Sequence, residues 1–344
     1  MPKHYYIHCH DCHFRRTLPM EVSRIENVSS PRQIMREAAA EFTGVMLLGV
    51  FSLATILREV LITLRLQVIF GSGVNCQVGL SSNPAVPTSP KGNYLSVSFG
   101  WAVGVSIAVW VSAGISGGHV NPAVTVSLAI FRGFPWKKVP IYAISQVLGG
   151  IVGAAMYALP TSQMAIVLTF SSSVYANNFH AIDMFEGGRG VRTLATAGFF
   201  GTFAADYLTD VSCFFSEFLA TAILILVILA VTDKHNSPPP CGLLPLVLFV
   251  LILGIAASLG INTSFAINPA RDLGARILTS MVGYGSAVYT YRNQYWIWGP
   301  ILGPFLGAIA GACFYDILLF DGDENIFKRR AQTPDIVDKE TNDV

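Results

Sequence analysis

Charge is what this chain has least of. Only 12% of its 344 residues are Asp, Glu, Lys or Arg, while 52% are hydrophobic, and a soluble domain carries about 25% charged residues. That shortage excludes an ordinary water-soluble globular domain and points to a bilayer. The net charge of +1 leaves no surplus of Lys and Arg to neutralise a phosphate backbone, which excludes a nucleic-acid partner. A disulfide framework is lacking too, because Cys9, Cys12, Cys76, Cys213, Cys241 and Cys313 are scattered over tail, loops and apolar runs. Cys9 and Cys12 interleave with His4, His8, His10 and His13, a zinc-like grouping. No second ligand pair occurs at finger-like spacing, so the plainer reading is a solvated, disordered tail. Catalytic constellations are missing as well: His119, His180 and His235 fall in separate segments and no nucleophile elbow occurs. The chain reads as no enzyme, and no metal or other cofactor is indicated.

Apolar runs of the ~20 residues that a bilayer core demands lie at roughly 38–57, 94–115, 139–160, 213–232, 242–262 and 295–319. The first comes after a polar, basic stretch, so it is expected to act as an uncleaved insertion signal. Six spans put both termini on one side. That side then collects 14 of the 22 Lys and Arg residues, among them Arg15, Arg16, Lys137, Lys138, Arg329 and Arg330, so the positive-inside rule makes the termini cytoplasmic. The sequon at Asn27 would then face the wrong compartment for glycosylation.

The chain also repeats itself. AEFTGVMLLGVFSLA at 40–54 is similar to SEFLATAILILVILA at 216–230, aligning Glu41 with Glu217, and LGGIVGA at 148–154 is similar to LGPFLGA at 302–308. Each copy holds three spans. Three is odd, so the second copy enters the membrane inverted. The organisation is a tail (1–37), a first repeat (38–160), a linker (161–212), a second repeat (213–319) and a tail (320–344). The linker is expected to be an extracellular loop, as is the stretch at about 58–93.

After its second span each repeat carries Asn-Pro-Ala: Asn121, Pro122 and Ala123, then Asn268, Pro269 and Ala270. Asn is a preferred N-cap and Pro a preferred first helical residue, so each motif opens a helix. The apolar stretch after each motif is too short to span, giving two re-entrant half-helices. Backbone that is non-helical at membrane depth must be buried or line a watery cavity, which makes Gly117, Gly118, His119 and Val120, and their counterparts before Asn268, pore candidates. Each Asn oxygen would cap its own helix, leaving the amide nitrogen to donate at the pore centre. Two positive helix ends converging there would repel cations and protons. A third Asn-Pro-Ala at 83–85 runs into Pro87 and Pro90 and reads as loop.

Over about 38–320 the two motifs, the paired glutamates and the repeat order resemble the major intrinsic protein family of aquaporins and aquaglyceroporins. The resemblance implies an all-α membrane fold of six transmembrane helices plus two half-helices in an inverted repeat. It also implies a homotetramer with one pore per protomer, most often in the plasma membrane. The family's constriction carries over onto Arg271, after the second motif; Phe265, three before Asn268; Ala256, twelve before it; and Trp101, twenty before Asn121. A small residue facing two aromatics, with Asp272 after the Arg, is similar to glycerol facilitators. Trp101 and Phe265 would take the CH side of a polyol and Arg271 its hydroxyls. Glu41 and Glu217 resemble the family's buried supports of the re-entrant loops. His119 is either pore-lining or a brace for its loop. Glycerol, water and other small polyols or urea are the implied solutes, with a water-selective channel as the alternative. A secondary transporter is the remote one, since the central groups are two amides with no proton- or ion-coupling residue.

Overall fold

The computed structural model describes residues 31–45, 67–154, 174–322, 325, 326 and 328. The N-terminal His and Cys cluster, the Asn27 sequon and residues 46–66 and 155–173 lie outside them. Among the described residues every regular element is helical: α1 (Pro31–Val45), α2 (Gln67–Ser81), α3 (Tyr94–Ser116), α4 (Pro122–Phe131), α5 (Val139–Ala154), α6 (Val174–Phe185), α7 (Asp210–Thr232), α8 (Leu244–Thr263), α9 (Pro269–Thr279) and α10 (Gly303–Leu318). Short turns from Tyr295 make α10 the end of a 24-residue apolar segment, Tyr295–Leu318. With α3, α7 and α8 this gives four helices long and apolar enough to cross a membrane, matching the expected spans at 94–115, 213–232, 242–262 and 295–319.

The expected spans at 38–57 and 139–160 are described in part, the second by α5, which begins at Val139 and is described to Ala154. Helix α1 starts at Pro31, inside the expected tail, and its described part ends at Val45. Residues 67–81, read from sequence as loop, form α2. Its composition is unpromising, with Gly, Ser, Asn and Gln among its 15 residues. Yet Val68, Ser72, Cys76 and Leu80 recur every fourth residue and are buried, the stripe a helix needs to pack, and α2 packs chiefly on α3. In the linker, α6 and a single turn at Leu194–Ala197 replace an expected loop.

The repeats interlock reciprocally. Helices α3 and α8, the second spans of each half, pack together, while α9 packs on α5 and α4 on α10. Each half-helix therefore rests on the last helix of the opposite repeat. The α5–α9 contact is backbone to backbone: a Cβ on Gly274 would sit 2.5 Å from the Ile151 nitrogen. On the other side, Gly307 and Gly311 lie against the backbone of Phe218 and Ala222 in α7. Small residues spaced by four thus serve close packing within the protomer.

Candidate functional site: an amphipathic cavity between the half-helices

Both Asn-Pro-Ala motifs open helices by the same chemistry. Asn121 and Asn268 have extended backbones, with φ of −158° and −141°. Asn121 Oδ1 accepts from the Ala123 amide at 2.9 Å; Asn268 Oδ1 accepts from Ala270 at 3.0 Å and Arg271 at 3.2 Å. The third copy shares the cap, Ala85 N donating to Asn83 Oδ1 at 2.8 Å, but only turns come after it.

Both amide hydrogens of each motif Asn were expected to face the pore. Instead one is engaged across the repeat boundary: Asn121 Nδ2 donates to the Ile267 carbonyl at 2.8 Å and Asn268 Nδ2 to the Val120 carbonyl at 2.7 Å. Each asparagine thereby caps its own half-helix and pins the loop that leads into the other. The pinned residues are strained, Val120 and Ile267 being β-branched with φ of +45° and +42°, a region such side chains avoid.

Glu217 supports this strain. Fully buried on α7, it accepts from the Ala266 and Ile267 amides at 2.9 and 2.8 Å, one to each oxygen. The side chain of Glu41 lies outside the described residues. His119 is 8% exposed and lines the cavity. It also braces its loop, with Nδ1 3.2 Å from Thr125 Oγ1, which donates to the Asn121 carbonyl at 3.0 Å. The rings of Phe134 and Tyr142 flank it.

A cavity lies where the half-helices meet, lined by Asn121 and Asn268 among others. One wall is apolar, from Val105, Val109, Leu224, Ile228, Leu248 and Ile252. The other is the polar stripe of Gly117 to Asn121, Ala266 to Asn268, and Arg271. At one corner the rings of Trp101 and Phe265 meet edge to face, 6.2 Å apart at 85°, and the Arg271 guanidinium lies 4.0 Å over the Trp101 ring. Arg271 is 2% exposed, and its Nη1 finds no acceptor among the described residues. A buried guanidinium with an open donor on a cavity wall is placed to bind something that passes.

Ala256 and Asp272 are held by partners in the surrounding helices and linker. Ala256 is fully buried in the cluster holding Trp101 and Phe265 and is not on the cavity wall. Its carbonyl accepts from the Tyr94 hydroxyl at 2.9 Å, tying α8 to α3. Asp272 faces away from the cavity: it accepts from Thr202 N and Oγ1 at 2.6 Å each and from Arg276 at 2.9 and 3.0 Å. Buried Arg276 also donates to the Thr202 and Val288 carbonyls, so this ion pair fastens α9 to the linker. Sequence reasoning missed Gln67, which lines the cavity and whose Oε1 has no partner among the described residues, and Asn75, which accepts from the Trp101 indole nitrogen at 3.3 Å. Both belong to α2, so only recognition of that helix could have found them.

Comparison with known proteins agrees with this architecture. The family model described as major intrinsic protein matches residues 28–315. Aquaporin-6 of Laccaria bicolor is 55% identical over 298 residues, covering 87% of this chain and 84% of that protein. The aquaglycerol porin AQY3 of Saccharomyces cerevisiae is 40% identical over 86% of this chain, though only 39% of AQY3 is matched. Among solved structures, the aquaglyceroporin from Plasmodium falciparum aligns with a TM-score of 0.63 and 27% identity, over 83% of this chain and 96% of its own. With its half-helices, crossed asparagines and cavity, this chain belongs to the major intrinsic protein family of membrane channels.

Proposed function

We propose that this channel conducts glycerol and other small uncharged solutes together with water, and excludes ions and protons. The observation that carries the reading is the two-sided wall of the cavity. A polyol has a carbon edge and a hydroxyl edge, and an apolar wall facing a polar stripe suits both at once. At the Trp101, Phe265 and Arg271 corner the rings take the CH side, and the open Nη1 donates to a hydroxyl oxygen. The similarity to proteins named aquaglycerol porin and aquaglyceroporin supports the same solute class.

Exclusion of ions comes from the half-helices. Each N-terminus carries roughly half a positive charge, and the remaining hydrogen of each motif Asn is a donor. A neutral solute accepts there; a cation meets positive potential from both halves. We further propose a homotetramer in the plasma membrane, and cytoplasmic termini, the orientation that the distribution of Lys and Arg supports.

The test is uptake of labelled glycerol into proteoliposomes with and without imposed proton or sodium gradients. The expected result is rapid equilibration, never accumulation, unchanged by either gradient. Gradient-driven accumulation would mark a coupled transporter, and water flux without glycerol entry would mark a water-selective channel.

A further inference from the structure

Trp101 is seated by α2. On one side its indole six-membered ring lies against Gly71, where any Cβ would overlap the ring carbons. On its face the Arg271 guanidinium lies 4.0 Å from the ring centroid. Its N–H donates to Asn75 Oδ1 at 3.3 Å. Asn75 is itself held, Nδ2 donating to the Phe199 carbonyl at 3.1 Å, and Phe199 packs against Gly79 one turn further along α2. Because one side of the amide meets a donor and the other an acceptor, only one orientation of Asn75 satisfies both.

We infer that Asn75 is a positioning residue for solute selection: by accepting the Trp101 indole N–H it keeps that donor out of the pore and holds the ring as a seat for Arg271. The inference rests on the reading of Trp101 and Arg271 as the solute-selecting corner. An indole is apolar everywhere except at its N–H. With that hydrogen engaged, the ring offers a passing polyol only carbon, and Arg271 is the cationic donor at the corner. With it free, the ring can turn its N–H toward the cavity. The corner then gains a donor on the side meant for CH groups, and Arg271 loses its platform. Water, which has no CH side, tolerates the change; glycerol does not.

Two substitutions separate this role from general stability. Asn75→Leu is close in size and cannot accept. Asn75→Asp retains an acceptor for the indole and, when protonated, a donor for Phe199. Water and glycerol permeabilities are measured by stopped-flow light scattering on proteoliposomes. In parallel, the Trp101 resonance is followed by fluorine NMR of 5-fluorotryptophan-labelled protein, assigned with Trp101→Phe. Leaving a buried donor unpaired is worth ~1–3 kcal/mol, so Asn75→Leu is expected to lower the glycerol-to-water ratio about fivefold or more. It should retain water flux and shift or broaden the Trp101 resonance, while Asn75→Asp stays near native in both. Asn75→Ala replaces Asn75→Leu if the latter does not fold. A native ratio or an unmoved resonance in the non-accepting variant overturns the inference. Should the native protein exclude glycerol, the solute reading fails, and the resonance alone then decides whether Asn75 holds Trp101.

Discussion

Single amides and carboxylates hold the centre of this channel. Asn121 both caps α4 and donates to the Ile267 carbonyl. Asn121→Ala therefore removes an N-cap, about 1 kcal/mol, and leaves a buried carbonyl unpaired, about 1–3 kcal/mol. Those two effects together predict a loss of roughly 2–4 kcal/mol, read as a lower thermal midpoint of the detergent-solubilised protein. Glu217 serves the same loop with both oxygens. Glu217→Gln presents an NH₂ where one backbone amide needs an acceptor, so destabilisation of about 1–3 kcal/mol is expected, with solute flux independent of pH in the native protein. A proton-relay role would instead give flux that titrates. At this scale the sequence was legible wherever a residue had a counterpart in the other repeat: the paired motifs, and Glu217 through Glu41. For Ala256 and Asp272 it supplied the positions but not the partners. Their offsets from Asn268 are properties of the chain, but whether a side chain meets the cavity or the bundle depends on neighbours such as Tyr94, Thr202 and Arg276, which no offset encodes.

Among the elements, the long apolar helices α3, α7, α8 and the segment ending in α10 were legible because length and hydropathy suffice to mark them. Helix α2 was not, because its 15 residues carry Gly, Ser, Asn and Gln and make no long apolar run. Its Gly-, Ser- and Asn-rich sequence owes its helical state to packing on α3, where the glycines admit Trp101 and Phe199. The four-residue spacing of Gly303, Gly307 and Gly311 in α10 suits close helix packing, either within a protomer or between protomers. Gly307 lies against the Phe218 backbone of the same chain. Gly307→Val is accordingly expected to abolish folded protein of any oligomeric state on size-exclusion chromatography. A monodisperse monomer of native helicity would place that glycine at a protomer interface instead.

In the whole molecule, function comes from two weak halves made to agree. Neither half-helix spans the membrane, and neither motif Asn completes its hydrogen bonds within its own repeat. Each needs the opposite copy, through the crossed amide bonds and the packing of α9 on α5 and α4 on α10. The duplication made this inversion readable from sequence. The crossing of the amides needed coordinates, since it joins atoms 146 and 148 residues apart.

The most direct measurement is stopped-flow light scattering on proteoliposomes of the native protein and of Ala256→His, comparing shrinkage in an impermeant osmolyte with re-swelling in glycerol. Ala256 is fully buried in the core cluster that also holds Trp101 and Phe265, so an imidazole there has no free space and must displace packed neighbours. Rapid native re-swelling in glycerol, lost in Ala256→His while water flux persists, is the expected result. Native vesicles that shrink quickly and never re-swell would contradict the account and make this protein a water channel.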